Sequence, residues 1–199
     1  MAILKIKKYL GEGTLIIFSV LFALFINKAF ESYQTNQRKA VALKSITQEL
    51  YRNQAILDRW KDQHQTVLGR LTELIEGKND SLKQAIASKT YLDLGFLTDN
   101  KSLIDAFLTN TAWESAKETG IIAEFDFEMT QKLTLVYKMQ DVMTDRTLAK
   151  ILDYYFDTSS HDMDNLDQVL IQFQLRFVEL TGQELVMVTM YEEALEAVR

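Results

Sequence analysis

The 199-residue chain contains no proline, no cysteine and only seven glycines. Proline ends helices more effectively than any other residue, because it lacks a backbone N–H and clashes with the preceding turn. A chain of this length without proline is therefore predicted to form long helices. The absence of cysteine excludes disulfides, thiol catalysis and Cys-based zinc sites, but it leaves the redox compartment open.

Negative charge exceeds positive charge beyond the N-terminus. The first 28 residues hold four lysines against Glu12, whereas residues 29–199 hold 18 basic and 27 acidic side chains, a net charge of −9. An acidic body without a basic stripe is a poor nucleic-acid binder and a poor candidate for lying on anionic lipid. We therefore expect no nucleic-acid partner.

Motifs that carry enzymatic chemistry are missing as well. The sequence has no GxSxG, no phosphate-binding glycine loop, no GxGxxG and no HExxH. The densest polar segment, Asp157–Asp167, fails as a calcium loop because Asp162 stands where glycine is needed and Gln168 where glutamate is needed. We interpret Asp162 or Asp164 as the cap of the last helix. The sequence thus predicts no catalytic residue, no cofactor and no metal site.

An apolar run bracketed by Glu12 and Lys28 is the first feature that is present. A basic start precedes it, as in a secretory signal, but no small-x-small cleavage site follows. We predict one uncleaved signal anchor, a transmembrane helix over residues 5–27 within an anchor and cytoplasmic tip of residues 1–28. The lysines before the run favour a cytoplasmic N-terminus. The lipid bilayer is then a partner, and the acidic body lies outside the cytoplasm, in the periplasm where the cell has one.

Glu12 is the charged side chain at the edge of this run. One interpretation pairs it with Lys8, four residues earlier on the same helix face, at the depth of the headgroups. The other places it against a partner helix, because ionisable groups at membrane depth usually face protein or water. Gly11 and Gly13 flank it and would let a second backbone approach closely. Glu12 is therefore a candidate partner contact.

Beyond the apolar run, apolar residues recur at alternating steps of three and four, which predicts a long helix with one buried face. Nothing interrupts residues 27–43, so we expect the anchor to continue directly into this helix. Asn53 and His64 are the polar members of the face. In a coiled coil they would set register and partner number, whereas in a helical bundle a neighbouring helix would satisfy them. Both are candidate partner contacts. The positions are Leu43, Ile46, Leu50, Asn53, Leu57, Trp60, His64, Val67, Leu71 and Leu74.

His64 has no carboxylate or second histidine at helical spacing, so we interpret it as a structural histidine and not as a metal ligand. Further helices are predicted in the second half from capping residues and apolar spacing. They start near Asn79 (to about Leu94), Thr98-Asp99 (through Leu108), Thr111 (in a capping box with Glu114), Asp126 (through Tyr155) and Asp164 (to the C-terminus). The fold class predicted is all-α, with a single N-terminal transmembrane helix continuing into a long helix of a multi-helix bundle over residues 29–199.

Several landmarks together resemble a family of uncharacterised bacterial proteins with an N-terminal membrane anchor and a helical body. They are Gly11-Glu12, Ala23-Leu24-Phe25-Ile26-Asn27, Glu49-Leu50 with Asn53, and Thr111-Ala112-Trp113-Glu114 with Gly120. The family usually continues with polar and tryptophan residues at the outer membrane edge, where this chain has Lys28-Ala29-Phe30. The resemblance implies an anchored helical architecture and a location in the bacterial inner membrane, and it implies no particular activity.

Two functions are compatible with these features. The first is a membrane-anchored, non-enzymatic interaction or scaffold module whose helical body docks a protein partner or a second copy of itself. The second is an extracytoplasmic ligand-sensing helical bundle that acts through a membrane partner, since fewer than a dozen residues lie on the cytoplasmic side. An enzyme is not expected, because no constellation of catalytic residues is visible.

Overall fold

The computed structural model describes residues 2–199, with side chains described from residue 13 onward. All regular structure in this part of the chain is helical, and no strand occurs in it, so the all-α class is confirmed. The α-helices are α1 (Ala2–Ile75), α2 (Asp80–Ala87), α3 (Gly95–Thr98), α4 (Thr111–Glu118), α5 (Phe127–Val142), α6 (Ala149–Phe156) and α7 (Leu166–Ala197). A π-helical segment, Met143–Leu148, joins α5 to α6, and short 3-10 turns cover Ile121–Glu124, Thr158–His161 and Met163–Asn165.

Helix α1 is a single helix of 74 residues, about 110 Å long at 1.5 Å per residue. Its apolar side chains from Leu15 to Ile26 are exposed, and the helix is long and apolar enough there to cross a membrane. Residues 28–41 follow as a segment that we call the stalk, with exposed or half-buried side chains. The rest of the chain from residue 42, which we call the body, contains the buried core. The predicted continuity of the apolar run with the packed helix is confirmed.

Helices α1 and α7 pack against each other in opposite directions. His64 of α1 contacts Glu184 of α7, and Thr72 further along α1 contacts Gln174 earlier in α7. The predicted three-four spacing supplies the inward face of each helix, and burying one large apolar side chain contributes about 1.5–3 kcal/mol. The buried residues include Ile46, Leu50, Leu57, Trp60, Val67, Leu71 and Leu74 on α1, and Leu170, Phe173, Phe177, Leu180, Met187 and Tyr191 on α7.

Helix α5 runs parallel to α1 and antiparallel to α7. Glu49 of α1 contacts Tyr137, and Asn53, one turn later, contacts Gln140, one turn further along α5. Gln140 also accepts from Tyr191 of α7. The body is therefore built on three adjacent helical segments, α1, α5 with α6, and α7.

The chain between α2 and α4 differs from the sequence prediction. Helix α2 ends at Ala87, and residues 101–110 are irregular instead of helical, so both of those predictions were wrong. Asp99 and Asn100 adopt left-handed backbone angles, with φ of 54° and 58°, and a right-handed helix cannot pass through that conformation. Apolar side chains of this segment are nevertheless buried, since Leu97 and Leu103 belong to the hydrophobic core.

Helix caps were predicted with mixed success. The Asp126 carboxylate accepts from the backbone N–H groups of Glu128 and Met129, as expected for the cap of α5. Helix α7 instead begins after Asn165, with no side-chain capping bond, so neither predicted cap is used. Asp162 accepts from the Asn165 side chain at 2.8 Å and is thereby held in the preceding turn.

Candidate functional site: a buried polar row and a groove beside the stalk

Glu49 is a nearly buried carboxylate on the inward face of α1 that caps a helix distant in sequence. Its Oε2 accepts from the N–H of Ala112 at 3.0 Å, and its Oε1 from the N–H of Trp113 at 3.4 Å. These are free N–H groups of the first turn of α4, where a negative charge is also favoured by the helix dipole. Glu49 thus does what the predicted Thr111 capping box was expected to do, and that prediction was wrong, because α4 has no side-chain bond from its own N-cap residue.

Tyr137 completes the surroundings of Glu49. Its hydroxyl donates to Oε1 of Glu49 at 2.8 Å, and its ring stacks on the buried ring of Trp113 with centroids 5.6 Å apart. Burial, reinforced by the neighbouring carboxylate of Glu49, raises the pKa of Tyr137 well above its usual value. The hydroxyl therefore stays protonated and remains a donor to the carboxylate at physiological pH.

Asn53 links three segments of the chain one turn further along α1. Its Nδ2 donates to the carbonyl oxygen of Thr109 at 2.6 Å and to Oε1 of Gln140 at 3.1 Å. Its Oδ1 accepts from the Thr109 N–H at 3.0 Å, so both backbone groups of Thr109 are paired by one side chain. The Tyr191 hydroxyl donates to the same Gln140 oxygen at 2.7 Å. Since unpaired buried polar groups are costly, this network fixes how α1, α5 and α7 meet.

His64 and Glu184 form a fully buried pair between α1 and α7. Nδ1 of His64 lies 2.5 Å from Oε1 of Glu184, and Nε2 lies 2.9 Å from the carbonyl oxygen of Leu103. Because a carbonyl oxygen only accepts, Nε2 must carry a hydrogen, and the contact at Nδ1 then requires a second proton, on the imidazole or on the carboxyl group. The pair therefore holds one shared proton and is neutral overall. The other Glu184 oxygen, Oε2, is buried without a hydrogen-bond partner among the described residues.

The predicted partner contacts thus have very different positions. The side chain of Glu12 lies outside the residues whose side chains are described. Asn53 and His64 are fully buried, and their hydrogen bonds described above are all within the chain. Groups that a second molecule can reach on the folded body therefore lie elsewhere.

Sequence reasoning missed the residues that pair with Asn53 and His64. Gln140 and Glu184 both occupy inward positions of otherwise apolar patterns, Gln140 after Tyr137 in α5 and Glu184 between Leu180 and Met187 in α7. A polar residue at such a position signals a buried polar contact, because an unpaired buried group would cost about 1–3 kcal/mol. That signal was available, but it does not name the partner.

A groove of about 970 Å³ lies beside the stalk, between residues 35–52 of α1 and residues 109–124. Many of its lining side chains are small, among them Ser45 on one wall and Ser115 on the other. Arg52 is held on the rim by a 3.1 Å bond from Nη2 to Oγ1 of Thr109. The groove begins in the stalk at Thr35, about 10 Å along the helix from Lys28 at the helical rise, and so it lies close to the apolar segment.

The acidic segment 157–167 is used locally. Asp157 accepts from the Ser159 N–H at 2.8 Å, and His161 accepts through Nδ1 from the Leu92 N–H at 3.1 Å. Hydrogen bonding to Ser159 lowers the pKa of Asp157. These contacts stabilise the turn between α6 and α7.

Comparisons of the chain with protein-family models, with curated proteins and with solved structures find no match. The resemblance to an anchored helical family of bacterial proteins therefore stays a prediction. The exposed apolar segment of α1 and the groove beside the stalk are the features on which a function can be based.

Proposed function

We propose that the chain is a single-pass, membrane-anchored, non-enzymatic protein-interaction module. In this proposal residues 5–27 cross the bacterial inner membrane with the N-terminus in the cytoplasm, and residues 29–199 form a helical bundle on the other side. The anchor is supported by the apolar part of α1, which the body does not bury and which lipid would cover. The orientation is supported by the basic residues that precede it.

The observation that carries the interaction role is the groove beside the stalk. Helix α1 runs without a break from its apolar segment into the groove wall. A partner helix that leaves the membrane beside α1 would therefore enter the groove without turning. Small side chains such as Ser45 and Ser115 would let its backbone approach closely. The proposed occupant is the juxtamembrane helix of a membrane-protein partner, bound as a helix in a groove.

The charges of the groove fit such an occupant. Arg38, Arg52 and Glu124 line it together with Glu49, whose carboxylate is already engaged by Tyr137 and by α4. Two arginines against Glu124 leave the groove with a net positive charge, although the body as a whole is acidic. An occupant with acidic residues along one edge would be favoured over a basic one.

The test is a blocking substitution combined with cross-linking in intact membranes. A photoreactive residue at Ser45 should cross-link a membrane protein, and Ser115→Trp, which fills the groove from the other wall, should abolish that product. The matched control is Gln131→Trp, an exposed position on α5 that does not line the groove. Cross-linking that survives Ser115→Trp would refute the groove as the docking site.

The size of the groove favours one alternative function, an extracytoplasmic ligand sensor acting through a membrane partner. Its volume of about 970 Å³ lies within the range of roughly 300–1,000 Å³ typical of small-molecule sites. Arg38 and Arg52 would bind an anionic group of the ligand. Native mass spectrometry of the protein purified in mild detergent separates the two functions. A small molecule that is retained by the wild type and lost from Ser115→Trp favours the sensor.

A further inference from the structure

Helix α7 carries a second apolar stripe on the side opposite its core-facing residues. Its positions follow steps of four and three, like those of the inward face. Leu175, Val178 and Leu185 are 58%, 53% and 57% exposed, and the flanking Val186 is 52% exposed. We define the outer stripe as Ile171, Leu175, Val178, Gly182 and Leu185.

The outer stripe is almost free of charge in a strongly acidic body. Between Asp167 and Glu192, the charged residues of α7 are Arg176, Glu179 and the buried Glu184. Arg176 donates to Gln172 on its own helix, and Glu179 accepts from Gln183. A neutral apolar strip of this kind is the one face of α7 where two acidic bodies could meet without bringing like charges together.

We propose that the outer stripe pairs with the outer stripe of a second copy of this chain, giving a parallel α7–α7 dimer. The orientation rests on the proposed function, because two copies anchored in one membrane are related by a twofold axis perpendicular to it. Since α7 packs antiparallel to α1, that axis makes the two α7 helices run in the same direction. Each residue of the outer stripe then faces the same residue of the second copy across the axis, as in a parallel coiled-coil seam.

Gly182 lies at the centre of the stripe and allows a close approach. Apart from the adjoining backbone of α7 itself, no atom of the described chain lies within 4 Å of a Cβ built at this glycine. A glycine inside a helix costs about 1 kcal/mol relative to alanine. Packing within the chain gives no reason for it, whereas a helix crossing at Gly182 does.

The area of the stripe fits a dimer that depends on the anchor. Three half-exposed apolar side chains, the less exposed Ile171 and the flanking Val186 would bury several hundred Å² per chain, below the roughly 800 Å² per partner of a standard interface. Confinement of both copies to one membrane raises their effective concentration and offsets the small area. The dimer is therefore expected to form in the membrane and to dissociate on dilution in detergent.

The absence of native cysteine makes disulfide trapping a direct test. Val178→Cys in the full-length chain, oxidised in native membranes, should give a dimer of twice the chain mass, because self-facing positions of a parallel seam bring Cα atoms within disulfide distance. Gln131→Cys, exposed on α5, is the control and should stay monomeric. Equal cross-linking at both positions, no dimer at Val178→Cys, or a product containing a different protein would each overturn the proposal.

A second pair of variants separates loss of pairing from loss of folding. In the Val178→Cys background, Gly182→Glu should lower the amount of trapped dimer at least about tenfold. The two introduced carboxylates would face each other across the interface, and like charges in that position weaken association by more than tenfold. Gly69→Glu is the matched control, an exposed helical glycine of α1 with equally free space around it. A trapped dimer unchanged by Gly182→Glu would overturn the proposal.

Alkaline extraction of the same membranes reports on the anchor separately. If the Val178→Cys protein stays in the membrane pellet but forms no dimer, the pairing is refuted and the membrane anchor is supported. Protein released into the supernatant refutes the anchored function, and the pairing is then decided by the cross-linking result alone.

Discussion

Removing Glu184 tests whether the buried pair with His64 holds α1 and α7 together. In the Glu184→Ala variant the imidazole keeps its bond to the Leu103 carbonyl oxygen, but its Nδ1 loses the group 2.5 Å away. Both side chains are fully buried, so the truncation leaves Nδ1 facing a cavity with no protein partner. Breaking such a pair costs about 3–5 kcal/mol, a large part of the roughly 5–15 kcal/mol that stabilises a typical domain.

Glu184→Gln is the conservative comparison. Its amide can donate to Nδ1 of a neutral imidazole while Nε2 continues to donate to the Leu103 carbonyl oxygen. No buried charge has to be paired in this arrangement. We therefore expect Glu184→Gln to cost no more than about 1.5 kcal/mol, the range of an ordinary hydrogen bond.

The double variant His64→Leu with Glu184→Leu completes the cycle. Replacing both partners by apolar residues removes the need for pairing, which is often neutral or stabilising for buried ion pairs. The double variant should therefore be more stable than either single Leu variant. The free energies of unfolding of the wild type, the two single Leu variants and the double variant are measured by urea unfolding of the full-length chain in mild detergent, followed by far-UV circular dichroism. Glu184→Ala and Glu184→Gln are measured in the same way. A Glu184→Ala cost below about 1 kcal/mol, or single costs that simply add in the double variant, would refute the pairing.

Three further predictions concern other polar groups. Glu49→Ala should cost about 2–4 kcal/mol, because it removes both the cap of α4 and the acceptor of the Tyr137 hydroxyl; a cost under about 1 kcal/mol by urea unfolding would contradict it. Because burial raises the pKa of Tyr137 in the folded chain, the unfolded chain alone releases this proton near pH 10, so stability should fall as pH rises above about 10. Urea midpoints across that range check this, and Tyr137→Phe should reduce the dependence without abolishing it, because burial also raises the pKa of Tyr191. If Glu12 contacts a partner helix, Glu12→Gln should reduce co-purification of the partner while Lys8→Ala does not; unchanged recovery with Glu12→Gln leaves the headgroup interpretation.

The elements that the sequence predicted well depend on local information. The three-four spacing from Ile46 to Leu74 identified the inward face of α1, and those residues are buried. Asp126 was predicted as a cap from its residue type and position, and its carboxylate does accept from N–H groups two and three residues away. Helix formation and capping involve residues within about four positions of each other, so a pattern read along the chain is enough to predict them.

Residues 101–110 show where such local information fails. Leu103, Ile104 and Leu108 have the spacing of a helix, yet the segment is irregular. Its backbone instead meets polar side chains of α1, since Thr109 pairs with Asn53 and the Leu103 carbonyl oxygen pairs with His64. These contacts across the core override the local preference of the segment.

By itself the sequence determined the helical class, the long α1 with its exposed apolar end, and which face of each long helix turns inward. Only the tertiary structure decided that Glu49 caps α4 from 63 residues away and that His64 meets Glu184 across 120 residues. It also left Leu175 and Leu185 of α7 uncovered. The physical reason is that a helix's inward face is set by periodicity along one segment. The partner of a buried polar group is set by how far each helix is rotated and shifted against its neighbours, which is the sum of many weak packing contacts.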